Sequence, residues 1–267
     1  MSEPARLEWM RDFLHGLRPT LNIAHRGGAA LAPENTLWAF EQAVTRWGAD
    51  VIELDVQATA DGVLVVFHDE TLERCTNGAG RVDAQTWAAI SALDAGWPMF
   101  ASRGARVPRL QDVLDALPHV RMNIELKAGD AAVVEQFVRT LRAHDALERV
   151  CIGSEADAVA DRLFAACPEA CHFFPAEALS TWVFGVKTGA ATPPDPRFSV
   201  VDMPNVWQGV SLVDAALLHA AQAAGLWVNV WTVDEPEEMA RLIALGVGGI
   251  MTDRPDLLRD ALRAPQS

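Results

Sequence analysis

Short runs of β-branched and other apolar residues alternate with amphipathic helical patterns along the whole chain. The predicted strands are Leu21–His25, Val51–Val56, Val63–His68, Met122–Lys127, Val150–Ser154, Cys171–Pro175, Ser199–Met203, Leu226–Val233 and Gly249–Asp253. Predicted helices lie between most of them, for example Thr36–Trp47, Ala131–His144, Ala156–Ala166, Leu212–Ala224 and Pro236–Leu245. Strands and helices that alternate in this way indicate a parallel sheet with helical crossovers.

One connection is too short for a helical crossover. Six residues, 57–62, separate Val51–Val56 from Val63–His68, and the Asp61-Gly62 pair favours a tight hairpin turn. Val63–His68 should therefore fold back antiparallel, which leaves eight parallel strands. The sequence predicts an α/β fold, a (β/α)₈ TIM barrel, in one domain over residues 1–267, with a hairpin after strand 2 and a small insertion at approximately 70–107.

Two acids interrupt the apolar strand Val51–Val56. Glu53 and Asp55 flank a single leucine, so their carboxylates project from the same face of the strand. A polar outer face would explain them in an open sheet, but helices cover the outer face of a parallel barrel, so they should point inward. Because adjacent buried carboxylates repel each other, we expect a metal cation between them.

The next parallel strand, Met122–Lys127, repeats this arrangement. Glu125 and Lys127 share a face, which should be the face that carries Glu53 and Asp55. Three oxygen ligands without cysteine suit one hard divalent cation, Mg²⁺ or Ca²⁺. Lys127 either neutralises a substrate phosphate or forms a structural salt bridge with one of the acids.

Histidines lie at the ends of two predicted strands. His25 is followed by Arg26, whose forked guanidinium fits phosphate oxygens, and by two glycines that allow the backbone to approach a ligand. The hairpin should return His68 to the level of Asp55. Taken alone, either histidine is more simply structural, but two of them beside acids indicate proton transfer.

Composition restricts the partners. The chain has 267 residues, of which 50% are hydrophobic. Its formal net charge of −14 disfavours binding to nucleic acid or to an anionic membrane surface. The four cysteines form no zinc pattern, so we interpret them as reduced thiols of a cytoplasmic protein. Residues 1–20 lack the apolar run of a secretory signal and predict a short amphipathic helix, and no stretch is apolar enough for stable membrane insertion.

The chain resembles the glycerophosphodiester phosphodiesterase family over nearly its whole length. The segments that carry the resemblance are His25-Arg26-Gly27-Gly28 with Pro33-Glu34-Asn35-Thr36, Glu53-Leu54-Asp55-Val56 with Asp61-Gly62 and His68-Asp69, Glu125-Leu126-Lys127, and Val230-Trp231-Thr232-Val233 with Thr252-Asp253-Arg254-Pro255. In this order and spacing they form a specific signature.

The resemblance implies a barrel of the phosphodiesterase type and a role in lipid and glycerol metabolism. It implies a small-molecule substrate, a glycerophosphodiester, that is hydrolysed to glycerol 3-phosphate and an alcohol. The implied roles are a divalent cation on Glu53, Asp55 and Glu125, acid/base catalysis by His25 and His68, and phosphate binding by Arg26 and Lys127.

Other matching residues have structural interpretations. Asn35 or Thr36 should cap a helix, and Asp253 should cap the last one. Trp231 either lines the substrate pocket or packs in the core. Family members often carry an aspartate in place of Gly248, which lies away from the expected site. Within the insertion, the apolar residues Trp97, Met99 and Phe100 either form a lid or line the pocket.

Three alternatives remain. A sphingomyelinase-D-like or lysophospholipase-D-like enzyme that cyclises a lipid phosphodiester would share the histidines and acids. Such relatives are typically secreted with a disulfide-braced loop, and we see neither feature in the sequence. The others are a barrel that binds phosphate esters without catalysis and a sugar-phosphate isomerase or aldolase on the same fold, which would not need this acidic cluster.

Overall fold

A computed structural model describes residues 20–101, 104–190 and 192–264. Apart from Thr20, the helix predicted for residues 1–20 lies outside these ranges. The strands are β1 Leu21–Ala24, β2 Val51–Ala58, β3 Leu64–Val66, β4 Arg121–Leu126, β5 Val150–Gly153, β6 Cys171–His172, β7 Val200–Pro204, β8 Val206–Trp207, β9 Val210–Ser211, β10 Trp227–Trp231 and β11 Gly249–Thr252. The α-helices are α1 Leu37–Thr45, α2 Trp87–Ile90, α3 Leu110–Ala116, α4 Ala131–Ala143, α5 Asp157–Ala166, α6 Ala176–Thr188, α7 Ala215–Ala223, α8 Pro236–Leu245 and α9 Pro255–Arg263.

Eight parallel strands form the predicted barrel. Their order around the sheet is β6-β5-β4-β2-β1-β11-β10-β7, and a parallel bridge between Phe173 and Val200 joins the two ends. Apolar side chains fill both the interior and the layer between strands and helices, for example Ile23 inside and Phe137 of α4 outside. The prediction of a TIM barrel is confirmed, and its strand ends define one mouth where active sites of such barrels lie.

The hairpin after the second strand is also present. β3 pairs antiparallel with β2, with Val56 opposite Val66 and Ala58 opposite Leu64. Gly62 has a φ of +77°, a conformation that glycine adopts without strain. The Gln57 amide donates hydrogen bonds to the carbonyl oxygens of Phe67 and His68, at 3.1 and 3.0 Å. These bonds hold the chain that leads into His68 against β2.

A second hairpin was not predicted. After β7 the chain forms the antiparallel pair β8 and β9, joined by Gln208 and Gly209. Both residues have positive φ, +48° and +80°, as a two-residue turn that matches strand twist requires. Strands of two residues are too short to show a hydrophobic period, so the sequence pattern does not reveal them.

The insertion packs on a small apolar cluster of its own. Leu72, Val82 and Ile90 are buried together beneath the β2–β3 hairpin, against Val65 and Phe67. The three residues expected to form a lid or line the pocket, Trp97, Met99 and Phe100, do not line it. Trp97 and Met99 are 50% and 77% exposed on the surface of the insertion.

The four cysteines are all free and buried, as Cys75, Cys151, Cys167 and Cys171. This agrees with their interpretation as thiols; the cytoplasmic location stays a prediction. No helix in the described ranges has the length and apolar character to cross a membrane.

Gly248 lies against the indole of Trp227 at the start of β11. A Cβ atom at this position would lie 2.5 Å from Trp227 Cε2, and that indole donates a hydrogen bond to Asn229 Oδ1 at 2.9 Å. Any side chain here must therefore displace a ring that packs in the barrel.

We expect Gly248→Ala to lower the free energy of unfolding by about 1–3 kcal/mol, the usual cost of overpacking. Chemical denaturation of the two proteins measures it. Trp227→Leu provides the control, because Gly248→Ala should cost much less when the indole is absent. An equal cost in both backgrounds would contradict the assigned collision.

Candidate active site

The eight residues to which the sequence analysis gave a candidate metal, acid/base or substrate-binding role all line one pocket at the mouth of the barrel. The cavity has a volume of about 410 Å³. The residues are His25, Arg26, Glu53, Asp55, His68, Glu125, Lys127 and Trp231. Trp231, for which two interpretations were open, lines this pocket and also packs against the apolar residues inside the barrel.

The three acids come from two adjacent strands. Glu53 and Asp55 alternate along β2, and Glu125 of β4 lies in register with Asp55. Asp55 is 1% and Glu53 7% exposed, so both carboxylates point into the barrel as the strand pattern predicts. Asn35 donates a hydrogen bond from Nδ2 to Asp55 Oδ2 at 2.9 Å.

Burial and neighbouring charges shift the pKa values of the three carboxylates in different directions. Burial raises the pKa of Glu53 to about 8, with a further contribution from the charge of Asp55. Burial also opposes ionisation of Asp55, but the charges of Lys127 and Arg26 outweigh it and lower the pKa of Asp55. The pKa of Glu125 is raised, mainly by burial. The site therefore has one firmly ionised carboxylate and two that retain protons more readily than usual.

Two cations compensate the acids. Lys127 Nζ lies 2.7 Å from Glu125 Oε2 and 3.0 Å from Asp55 Oδ1. Arg26 Nε lies 3.4 Å from the other oxygen of Asp55. Of the two roles considered for Lys127, the salt bridge is present in this structure, and its ammonium occupies the space between two of the proposed metal ligands.

His25 is held by an acid from the far end of the chain. Its Nδ1 lies 2.7 Å from Asp253 Oδ1, and its Nε2 lies 4.0 Å from Glu53 Oε2. Burial opposes its protonation, but the hydrogen bond to Asp253 and the charge of Glu53 raise the pKa of His25. The expectation that Asp253 caps the last helix was wrong: Arg254 occupies the N-cap of α9, and Asp253 orients the imidazole.

His68 has an equivalent partner next to it in the chain. Its Nδ1 lies 2.6 Å from Asp69 Oδ1. Burial lowers the pKa of His68, and the opposing charge of Asp55 does not restore it. Hydrogen bonds from Arg74 hold the pKa of Asp69 at about 2, so this partner stays ionised.

Arg74 connects the segment that carries His68 with the segment that carries Arg26, and it was not identified from the sequence. Its guanidinium donates to Asp69 at 2.6 and 2.8 Å and to both oxygens of Glu34 at 2.7 and 2.8 Å. Glu34 in turn accepts a hydrogen bond from Arg26 Nη1 at 3.1 Å. A continuous chain of ion pairs therefore runs from His68 to Arg26, and the arginine at its centre belongs to the insertion.

The turn before α1 contains one residue that caps the helix and one that contacts Asp55. Thr36 caps the helix by accepting a hydrogen bond from the Ala39 amide at 3.3 Å. Asn35 does not cap it: with a φ of +56°, it is turned toward Asp55 instead. Of the two predicted caps, Thr36 is therefore confirmed.

A partly buried acid at the pocket was also missed. Asp202 of β7 accepts hydrogen bonds from Asn123 Nδ2 at 2.7 Å and from Asn229 Nδ2 at 2.8 Å. Burial raises the pKa of Asp202 to about 6, although both amides favour the charged form. A single aspartate in the strand Val200–Pro204 gives no sequence signal that distinguishes it from other polar strand residues.

The carboxylate oxygens of Glu53, Asp55 and Glu125 are the type of ligand that a hard divalent cation prefers. Glu53 is buried, accepts a hydrogen bond from the Arg26 amide at 2.9 Å and has a raised pKa, which are properties of a carboxylate short of positive charge. Within residues 20–101, 104–190 and 192–264, no three histidine, cysteine or acidic side chains converge closely enough to hold a metal ion. The donors therefore fit such an ion, while Lys127 occupies part of the space between them.

Comparisons with known proteins agree with this site. Residues 25–257 match the Glycerophosphoryl diester phosphodiesterase family. A probable glycerophosphodiester phosphodiesterase 2 of Mycobacterium tuberculosis is 36% identical over 259 residues, covering 95% of this chain and 94% of that protein. A glycerophosphodiester phosphodiesterase of Caldanaerobacter subterraneus is 34% identical and covers 91% of this chain and 98% of its own length.

Solved structures share the fold. A glycerophosphodiester phosphodiesterase from Agrobacterium tumefaciens is 31% identical, with a TM-score of 0.73 over 90% of this chain and 99% of that one. An Oleispira antarctica phosphodiesterase in complex with the product sn-glycerol-3-phosphate superimposes with a TM-score of 0.74 at 24% identity, over 91% of this chain and 96% of that one. The chain belongs to the glycerophosphoryl diester phosphodiesterase family of enzymes.

Proposed function

We propose that this enzyme hydrolyses glycerophosphodiesters to glycerol 3-phosphate and an alcohol, with a divalent cation and two histidines that share the proton transfers. The observation that carries the proposal is the pair of imidazoles, each tied at Nδ1 to an aspartate, beside three carboxylates and two cations in one pocket. The relative that was solved with sn-glycerol-3-phosphate shares this fold and supports the same product.

The environments of the two histidines differ in the direction that acid/base catalysis needs. Burial lowers the pKa of His68, which favours the neutral form that accepts a proton from the attacking water. Asp253 and Glu53 raise the pKa of His25, which favours the protonated form that donates to the leaving alcohol. One P–O bond forms and one breaks, and each imidazole moves one proton.

Charged groups bind the diester phosphate. Arg26 offers a forked donor, and Lys127 can release one of its two carboxylate partners to contact a phosphoryl oxygen. Glu53, Asp55 and Glu125 would hold Mg²⁺ or Ca²⁺, which supplies stabilisation of negative charge on the phosphoryl oxygens. These local positive charges offset the net charge of −14, which otherwise repels an anionic substrate.

Product analysis tests the proposed reaction. Incubation of the enzyme with glycerophosphocholine should release glycerol 3-phosphate and choline. An enzymatic assay of each product measures this release. The cyclising phospholipase alternative predicts turnover of sphingomyelin and release of a cyclic phosphate. Turnover of sphingomyelin without turnover of glycerophosphocholine would therefore overturn the proposal.

We expect His25→Ala and His68→Ala each to lower kcat by about 10²–10⁴-fold without loss of the fold. In the parent enzyme, activity should rise as pH passes the lowered pKa of His68 and fall as it passes the raised pKa of His25. Each variant should lose its own limb of the pH–rate profile. Replacement of His219, which lies outside the pocket, serves as the control; profiles that keep both limbs in both variants would contradict the assignment.

Chelation tests the cation. Thorough treatment with EDTA should abolish hydrolysis, and Mg²⁺ or Ca²⁺ should restore it. Glu53→Gln keeps the size of the side chain but removes its charge, so we expect restoration to need a higher cation concentration. Glu135→Gln, on the exposed face of α4 and outside the pocket, should leave that concentration unchanged. Full activity after chelation would remove the cation from the mechanism.

Arg74 should act as a positioning residue for His68 and Arg26. We expect Arg74→Ala to lower kcat by about 10–100-fold, as loss of an orienting partner commonly does, with a smaller effect on KM. Arg74→Lys should restore part of the activity, because the ammonium can still pair with one of the two acids.

Arg81 offers a matched control within the same insertion. It also pairs with two acids, Glu70 and Asp83, and its side chain is 52% exposed against 47% for Arg74, but it does not contact the site. Arg81→Ala should retain full turnover. Equal losses in both alanine variants would mean that the insertion is merely destabilised.

A further inference from the structure

The segments that follow β10 and β11 are joined by a side chain that has no role in the proposed mechanism. Asp234 lies after β10, between that strand and α8, and Asp253 directly follows β11. Asp234 Oδ1 accepts a hydrogen bond from Thr252 Oγ1 at 2.8 Å and another from the Asp253 amide, also at 2.8 Å. One carboxylate oxygen therefore holds the pair of residues that includes the partner of His25.

The direction of the Thr252 hydroxyl group follows from its two neighbours. A carboxylate only accepts hydrogen bonds, so the hydroxyl proton points toward Asp234. The hydroxyl oxygen in turn accepts a hydrogen bond from the Arg254 amide at 2.9 Å. Because Thr252 is fully buried, its hydroxyl finds this acceptor within the protein rather than in solvent. Loss of Asp234 would leave two donors without their acceptor, a cost that favours a shift of the segment.

The main chain of Asp253 is held at both of its polar groups. Its amide donates to Asp234, and its carbonyl oxygen accepts a hydrogen bond from the Ala30 amide at 3.3 Å. Ala30 belongs to the loop between β1 and α1, which begins at His25. With the backbone fixed in this way, the Asp253 side chain places Oδ1 at 2.7 Å from His25 Nδ1.

The three residues of this series come from neighbouring strand ends. β10, β11 and β1 are adjacent in the sheet, and the chain at the end of each supplies one member: Asp234, Asp253 and His25. Only His25 lines the pocket. Asp234 therefore has a connection to the reacting groups that runs through Asp253 and the imidazole.

We infer that Asp234 is a positioning residue for the reaction: it fixes Asp253, which in turn orients the imidazole of His25 for proton transfer. This inference rests on the role of His25 in the proposed function. The property that matters is an acceptor oxygen rather than a charge, because Oδ1 alone receives both hydrogen bonds. An asparagine side chain offers the same oxygen.

Variants at Asp234 test the need for this acceptor. We expect Asp234→Ala to lower kcat for glycerophosphocholine by about 10–100-fold, the usual effect of losing an orienting partner, with little change in KM. Asp234→Asn should keep nearly the parent kcat. Thr252→Val removes one of the two bonds and should cause a smaller loss, which keeps the test decisive if Asp234→Ala does not fold. An asparagine variant as impaired as the alanine variant, or a valine variant with the parent kcat, would overturn the inference.

Asp61 offers a control with the same type of bonding. Its Oδ1 also accepts a hydrogen bond from a threonine hydroxyl, that of Thr59 at 2.6 Å, and one from a backbone amide, that of Trp87 at 2.9 Å. It lies at the tip of the β2–β3 hairpin and does not line the pocket. Asp61→Ala should keep the parent kcat when both proteins are assayed well below their melting temperatures. Equal losses of kcat in Asp61→Ala and Asp234→Ala would replace the positioning role with general destabilisation.

A double-mutant cycle tests whether Asp234 acts through Asp253. Two residues that act in series are not additive, because removal of the second leaves the first with nothing to position. Asp253→Ala already lacks the partner of His25, so in that background we expect Asp234→Ala to cause almost no further loss of kcat. A further loss as large as in the parent enzyme would overturn the inference.

Nuclear magnetic resonance separates this inference from the proposed function. The His25 Nδ1 proton, which is donated to a carboxylate, should give a downfield resonance that is identified by its loss in His25→Ala. We expect it to shift or broaden in Asp234→Ala and to stay unchanged in Asp61→Ala. A parent enzyme that does not hydrolyse glycerophosphocholine would refute the proposed function, whereas a resonance that is unchanged in Asp234→Ala would overturn the positioning role alone.

Discussion

Compensation of buried negative charge is the constraint on which the rest of this active site depends. Asp55 has almost no exposure, yet remains ionised because Asn35, Arg26 and Lys127 surround it. These partners come from the turn before α1, the end of β1 and the end of β4. An unpaired charge at this depth would be very costly, so the loops must meet with little positional freedom. The same contacts that neutralise Asp55 thereby fix Arg26 and Lys127, the proposed phosphate-binding groups.

The two histidines extend this constraint outward. Each uses Nδ1 to bind an aspartate, which leaves Nε2 available for chemistry, but the aspartates have different origins. Asp69 follows His68 directly, whereas Asp253 is 228 residues from His25 in sequence. Because β1 and β11 are adjacent in the barrel, the end of the chain returns to its beginning and completes the second pair. Closure of the barrel is therefore a condition for the proposed catalytic geometry as well as for stability.

The sequence predicts those features that depend on local periodicity. Alternation along Val51–Val56 identified the inward acids, and the Asp61-Gly62 turn identified the hairpin that returns His68. It did not predict features that depend on contacts between distant segments. Nothing local to Arg74 indicates that it meets Glu34 forty residues earlier, and a cap at Asp253 was the simpler interpretation until its distance to His25 was known. Strands as short as β8 carry no period to detect.

The residues that line the two sides of the barrel mouth differ in how freely they can be substituted. Most charged groups of the pocket lie at the ends of β1, β2 and β4 on one side of the ring, whereas Met203 of β7 and Trp231 of β10 line the other side, where Asp202 is the acidic exception. The β8–β9 hairpin and α6 contribute Trp207 and Phe184 to this second side, but they supply neither a proposed metal ligand nor a partner to His25 or His68. Substitutions there alter what surrounds the substrate without leaving a charge of the acidic group uncompensated. Specificity can therefore change on the β7–β10 side of the mouth while the electrostatics of the β1–β2–β4 side stay intact, because the barrel holds the two sides on different strands.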